Sequence, residues 1–181
     1  MLLPSVVLGW TLLGTSALAG DITVLGASNI VENDIVSVNS NTELSFSEDA
    51  LEALNSGIPL VFDLDFRITR VRRYFPDKEV FSTHRKLSIE RHALSDQFVV
   101  SDSITDERNV FSSLGLALDH LGRIDDLALV DINDLPVDSE LMLALRLRLD
   151  IESLPAPMIA VAYLTPGWRM STGWHRWPLT R

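Results

Sequence analysis

Lysine and arginine are unevenly placed along this 181-residue chain. Eight of its fifteen bases lie between positions 67 and 91: Arg67, Arg70, Arg72, Arg73, Lys78, Arg85, Lys86 and Arg91. Only three acids, Asp77, Glu79 and Glu90, share that stretch, so its net charge is +5 and the rest of the −10 chain carries −15. Guanidinium forks recognise carboxylates and phosphates, and Tyr74 and Phe75 add aromatic contact area between them. Such a patch suits an acidic partner protein or an anionic membrane surface. Two structural roles compete: pairing with acids of the same domain, and guarding an exposed sheet edge. Arg70, Arg72, Arg73, Tyr74, Lys78, Arg85 and Lys86 form the candidate partner-binding set.

A second cluster sits near the C-terminus. Trp168, Trp174 and Trp177 fall within ten residues, with Arg169 and Arg176 between them. Indoles stack on sugar rings, and Trp with Arg is enriched at interface hot spots. This is the alternative ligand site, for a small molecule or a glycan. The competing role is closure of an open sandwich end by buried indoles. Pro166, Pro178 and two glycines make the segment irregular, which fits a wrapping tail.

The remaining chemistry is sparse. His84, His92, His120 and His175 show no metal-ligand spacing such as HxH or HExxH. No GxSxG or SxxK elbow marks a serine nucleophile. Asp125-Asp126 and Asp131-Ile132-Asn133-Asp134 offer oxygens but lack EF-hand spacing, and they read as solvated acidic loops. The absence of cysteine excludes disulfides and thiolate chemistry. An acidic chain is a poor general binder of nucleic acid. No catalytic residue, metal or cofactor is therefore expected.

These side chains need a scaffold, and the hydropathy pattern supplies one. Leu60, Phe62, Leu64, Phe66 and Ile68 alternate with polar residues, as do Leu141, Leu143, Leu145, Leu147, Leu149 and Ile151. Period-2 spacing puts each set on one face of a strand. Asp63 and Asp65 then share a type of outer face with Arg146 and Arg148, so neighbouring strands would pair them. Pro76-Asp77 is a turn signal between the first strand and Val80–Arg91. The resulting hairpin is expected to set Phe66 near Leu87 and Leu64 near Ile89.

Further turns are expected at Leu94-Ser95-Asp96 and Thr105-Asp106-Glu107. Weaker strands are expected over Ile22–Leu25 and Asn33–Phe46. Two short helices are expected. One is capped by Ser47, runs through Leu54 and ends at Gly57; the other spans about Ser112–Leu121. The pattern predicts a mainly β, antiparallel sandwich of immunoglobulin-like architecture, in one domain over 20–181. Residues 1–19 are uncharged and apolar and end in Ala17-Leu18-Ala19, the pattern of a signal peptide, with an uncleaved membrane anchor as the alternative.

Several segments together resemble a known family. They are Ser56-Gly57-Ile58-Pro59-Leu60, Phe111-Ser112-Ser113-Leu114-Gly115, Leu141–Pro155, and the ending Pro166-Gly167-Trp168-Arg169, Gly173-Trp174 and Arg176-Trp177-Pro178. The chain is similar over roughly Val24–Leu179 to the domain of unknown function four-three-nine-zero, a family of small exported proteobacterial proteins. It departs from the family pattern at Asp106, where glycine is expected in a turn. The resemblance implies a β-rich domain exported to a Gram-negative envelope, periplasmic or secreted, whose genes often neighbour a membrane sensor kinase of the nitrogen-regulation type. It implies an accessory or sensory role and offers no functional residues to carry over. Together these features lead to the expectation of a non-enzymatic protein-binding module, with an envelope protein, for example a sensor-kinase ectodomain, as its partner.

Overall fold

A computed structural model of the chain describes residues 20–181. The expected signal peptide or anchor over 1–19 lies outside the described residues. Among these residues nine strands form two antiparallel sheets. The smaller sheet holds β1 (Asp21–Glu32), β2 (Ile35–Ser45) and β7 (Arg123–Asp131) in the order β1-β2-β7. The larger holds β3 (Leu60–Arg70), β4 (Lys78–His92), β5 (Gln97–Asp102), β6 (Arg108–Phe111), β8 (Leu141–Leu149) and β9 (His175–Pro178), in the order β6-β5-β4-β3-β8-β9. The apolar faces of both sheets share one core, in which Val36 and Val38 of β2 join Phe62, Phe66, Ile68, Ile89, Leu143 and Leu145.

The two leucine- and phenylalanine-rich alternations are β3 and β8, adjacent at the centre of the larger sheet. Leu143, Leu145, Leu147 and Leu149 are all buried, whereas Ile151 lies past the strand end in a 3-10 turn. The β3–β4 register differs from the expected one. Phe62 faces Leu87 and Leu60 faces Ile89, while Phe66 faces Thr83 and Leu64 faces Arg85. The loop spans 71–77 around Tyr74 instead of turning tightly at Pro76-Asp77. A shift of four residues keeps every side chain on its original face, so alternation alone cannot separate the two registers.

The smaller sheet departs further from the expected elements. Its first hairpin turns at Asn33 and Asp34, both left-handed (φ 50 and 66), the conformation a two-residue hairpin turn needs. The first strand therefore runs on to Glu32, and Asn33 belongs to the turn, not to the second strand. The expected acidic loop at Asp125-Asp126 is part of β7. There the pairing with β2 slips between Val38 and Ser40, and Asp126 has φ 49. The slip breaks the period-2 pattern that would have marked the strand.

The described residues hold three α-helices, one more than expected. The first, α1 (Glu48–Asn55), begins where the Ala50 N–H donates to Ser47 Oγ. It ends with Gly57 at φ 80, where the Ile58 N–H reaches Ala53 O and the Gly57 N–H reaches Leu54 O. The second, α2 (Leu114–Gly122), is capped by Ser113. The third, α3 (Ala156–Leu164), lies in a uniformly apolar segment without helical periodicity. Asp106 has φ 53 in the β5–β6 turn, a left-handed conformation that favours glycine.

Candidate functional site

The outer face of the larger sheet carries a ladder of matched charges. Asp63 pairs in register with Arg148, and Asp65 with Arg146, the cross-strand match expected from the sequence. Arg148 Nη2 lies 2.7 Å from Asp63 Oδ2, and Arg146 Nη2 lies 2.7 Å from Asp65 Oδ2. Lys86 of β4 completes the next rung, 3.6 Å from Asp63 and 2.5 Å from Asp150. The Asp150 hydrogen bond holds the Lys86 ammonium above its usual pKa. Burial pushes the Asp150 carboxyl up, but hydrogen bonds from Lys86, Ser153 and the Glu152 N–H outweigh it, and the net shift is downward. Toward the hairpin, Arg67 Nε sits 2.7 Å from Glu79 Oε2, but off the N–H direction, so this is an ion contact and not a hydrogen bond.

The hairpin tip is different. Asp77 closes the loop by accepting from the Arg72 N–H at 3.4 Å and from Arg176 at 2.9 Å. Arg176 and then the Arg72 N–H hold the Asp77 carboxyl below its ordinary pKa. Around this closure Tyr74 is 83% and Phe75 70% exposed. Among the described residues Arg70, Arg72, Arg73 and Lys78 form no ion pair, although seven other lysines and arginines of the sheet do. The candidate set is thus split. Arg70, Arg72, Arg73, Tyr74 and Lys78 converge at the tip.

Arg85 and Lys86 are elsewhere. Eight strand residues, about 26 Å, separate Lys86 from Lys78. Arg85 opposes the core residue Leu64 and pairs with Asp102 at 2.6 Å, both largely shielded from solvent. It lines a cleft of about 380 Å³ between the sheets, together with Asn109, His120, Arg123 and Leu127.

The three C-terminal tryptophans do not form one platform. Trp168 is 4% exposed, within the core. Trp177 opposes the buried Leu143, packs half-buried on the core side, and leaves its Nε1 without a hydrogen-bond partner. Only Trp174 lies on the outer face. The guanidinium carbons of Arg67 and Arg146 stand 4.4 and 4.5 Å from its ring centroid. It borders a hollow of about 220 Å³ with Asp65, Glu79, Ser82 and His84. Arg169 is far from this hollow in role, since it donates to the Tyr163 carbonyl at the end of α3. Closure by the tail describes Trp168 and Trp177, and Trp174 stands apart. Only Trp177 belongs to β9, while Trp168 ends a 3-10 turn and Trp174 precedes the strand, so no single periodicity relates the three.

Among the described residues no three histidine or carboxylate side chains converge as a metal site would require. His92 contacts Glu90 and His120 contacts Asn109, with no serine in either pair. No curated protein and no solved structure matches the chain. One family model does, over residues 20–178, nearly the whole described domain. Its extent agrees with the fold above, and on that match the chain belongs to the domain of unknown function family DUF4390.

Proposed function

We propose that this chain is a non-enzymatic protein-binding module of the cell envelope, exported to the periplasm or beyond, and that the β3–β4 tip is its contact surface. The observation that carries this reading is the concentration of unpaired bases. Arg70, Arg72, Arg73 and Lys78 surround two exposed aromatics, while the bases further down the same sheet are neutralised internally. Unpaired guanidiniums next to Tyr and Phe supply the anchors that dominate interface energetics, and their charge selects an acidic partner surface. An envelope protein such as a sensor-kinase ectodomain is the partner class. A glycan at Trp174 is the weaker reading, because two guanidiniums already occupy the neighbourhood of its ring.

The test is in-cell photo-crosslinking from a photoreactive side chain at position 74, read by mass spectrometry. One dominant envelope protein is expected. Arg72→Glu with Arg73→Glu should reduce that capture tenfold or more, on the order of 1.4 kcal/mol or above. Arg73→Glu with Lys78→Glu, both at exposed positions, should do the same without touching the half-buried Arg72. Capture that survives both pairs, with the domain folded, removes the tip as the contact.

A further inference from the structure

The core face of the larger sheet carries a charge pair where the alternation calls for apolar side chains. On β4, Ile89 and Leu87 oppose the buried Leu60 and Phe62, and Arg85 comes next, opposite the buried Leu64. Residues directly opposite on an antiparallel ladder share a face, so the Arg85 side chain starts among core leucines. Asp102 of β5 opposes Leu87 on that same face, and its Oδ2 lies 2.6 Å from Arg85 Nη2. The carboxylate is fixed by its own turn, where Oδ1 accepts from the Ile104 N–H at 2.8 Å. Arg85 Nε is buried and has no hydrogen-bond partner. A shielded donor left unpaired costs free energy, and a shielded ion pair contributes little stability in return.

The packing over this pair leaves room. Helix α2 ends at Gly122, where a Cβ would meet the Thr42 carbonyl, so the helix end is pressed onto β2. β7 starts at the next residue, and this junction lines one side of the 380 Å³ cleft with Leu121, Ile124 and Leu127. The other side is β4 and β5, with Leu87 and Val100 beside Arg85 and Asp102. His120 of α2 ties the two sides together, its Nε2 3.2 Å from Asn109 Nδ2 of β6. Small-molecule sites occupy about 300–1,000 Å³ and combine apolar walls with a few convergent polar groups. This cleft has that composition at the small end of the range.

The signs of the charges narrow the ligand. Arg85 and Asp102 stand together inside, and the exposed Arg123, Glu107 and Asp125 border the same cleft. An anion alone would take Arg85 and strand a shielded carboxylate, and a cation alone would strand the guanidinium. A ligand carrying both charges satisfies both. We propose that the cleft binds a compact zwitterion with an apolar side group, of the α-amino acid type. Its carboxylate accepts from Arg85, including the unpartnered Nε–H, its ammonium donates to Asp102, and its side group lies against Leu87, Leu121 and Leu127. The inference is independent of what the tip binds, since seven residues of β4, about 23 Å, separate Arg85 from Lys78.

The test is an NMR titration of the full-length, isotope-labelled chain with leucine, valine, methionine and phenylalanine in turn. Two analogues of leucine dissect the charges: 4-methylpentanoate lacks the ammonium, and 3-methylbutylamine lacks the carboxylate. At least one amino acid is expected to give saturable shifts of the Arg85 Nε–H and the Leu121 and Leu127 methyls, with a Kd of about 1 mM or tighter. Each leucine analogue should shift these signals at least tenfold more weakly than leucine. Arg85→Lys keeps the charge but loses the guanidinium fork, and should weaken binding tenfold or more. Leu127→Trp fills the cleft without touching the ion pair and should abolish binding, with the Leu143 and Leu145 methyls reporting that the core is intact. No saturable shift in the cleft with any of the four amino acids would overturn the inference. So would an analogue that binds as well as leucine, or undiminished binding in either folded variant.

Discussion

The middle rungs and the tip of the β3–β4 hairpin are both rich in arginine and lysine, but they reach different electrostatic states. In the middle, Lys86 meets Asp63 and Asp150, while Asp63 and Asp65 of β3 meet Arg148 and Arg146 of β8. At the tip, Arg73 and Lys78 have no neighbouring strand to supply a carboxylate, because β8 begins at Leu141 opposite Arg70. The excess of charge along the chain is the same kind of quantity in both places. What decides its availability is the cross-strand neighbour, and that neighbour lies some eighty residues away in sequence. A matched ladder contributes to holding the sheet together, whereas an unmatched tip keeps its field for something outside the domain.

The largest effect separating the two regions is expected in the ladder. The Asp63 side chain is only 10% exposed and serves two cations. Removing it by Asp63→Ala strips partners from Arg148 and Lys86 and should destabilise the domain by about 2 kcal/mol. The estimate sits below the range for fully buried pairs because both cations are roughly half-exposed and can turn to Asp65 and Asp150. Chemical denaturation gives the value directly. A loss indistinguishable from zero would mean that the ladder is decorative.

Much of this ladder was legible before the fold. Five apolar residues at strict alternate spacing fix which face of β3 is outward, and the same holds for β8, so the match of Asp63 and Asp65 with Arg148 and Arg146 needed only that the strands be neighbours. The helix from Ser47 to Gly57 was legible because caps are local chemistry. The register of the β3–β4 hairpin was not, since shifts by even numbers of residues preserve the alternation. β7 was hidden by the slip at Asp126, and α3 by hydropathy that is uniform around its axis. Of the site, the composition of the tip could be read in advance. That Arg85 and Lys86 leave it could not, because their partners Asp102 and Asp150 come from other elements.

A smaller effect sharpens the contrast at the tip. Arg73→Glu with Lys78→Glu should change the unfolding free energy by no more than about 0.5 kcal/mol, as exposed substitutions away from structural features do. Read beside Asp63→Ala in the same denaturant series, the pair of results separates charge used for stability from charge held free. A destabilisation at the tip as large as that at Asp63 would erase the distinction, and the loss of capture expected of the tip variants would then have to be attributed to unfolding.

The smallest expected effect is in the pH response, where the two regions share the acid limb and only one has an alkaline limb. Asp77 closes the tip with a carboxyl held below its ordinary range by Arg176 and the Arg72 N–H. A depressed acid contributes stability above its unfolded pKa, about 3.9, and that contribution is lost as pH falls through the lower folded value. The tip should therefore loosen only in acid, below about pH 4. The rung formed by Lys86 and Asp150 has a depressed acid and a raised base. Its contribution should fade in acid for the same reason. It should also fade in alkali, because a raised base is stabilising below its unfolded pKa, about 10.4, and loses that as pH climbs through the folded value. Amide chemical shifts followed by NMR across both limbs would show the Arg72 N–H moving on the acid side alone, and the Glu152 N–H, bonded to Asp150, moving on both. An Arg72 amide that ignores acid would mean that Asp77 does not clasp the loop in solution, and the tip would then be a flexible basic segment in place of an ordered one.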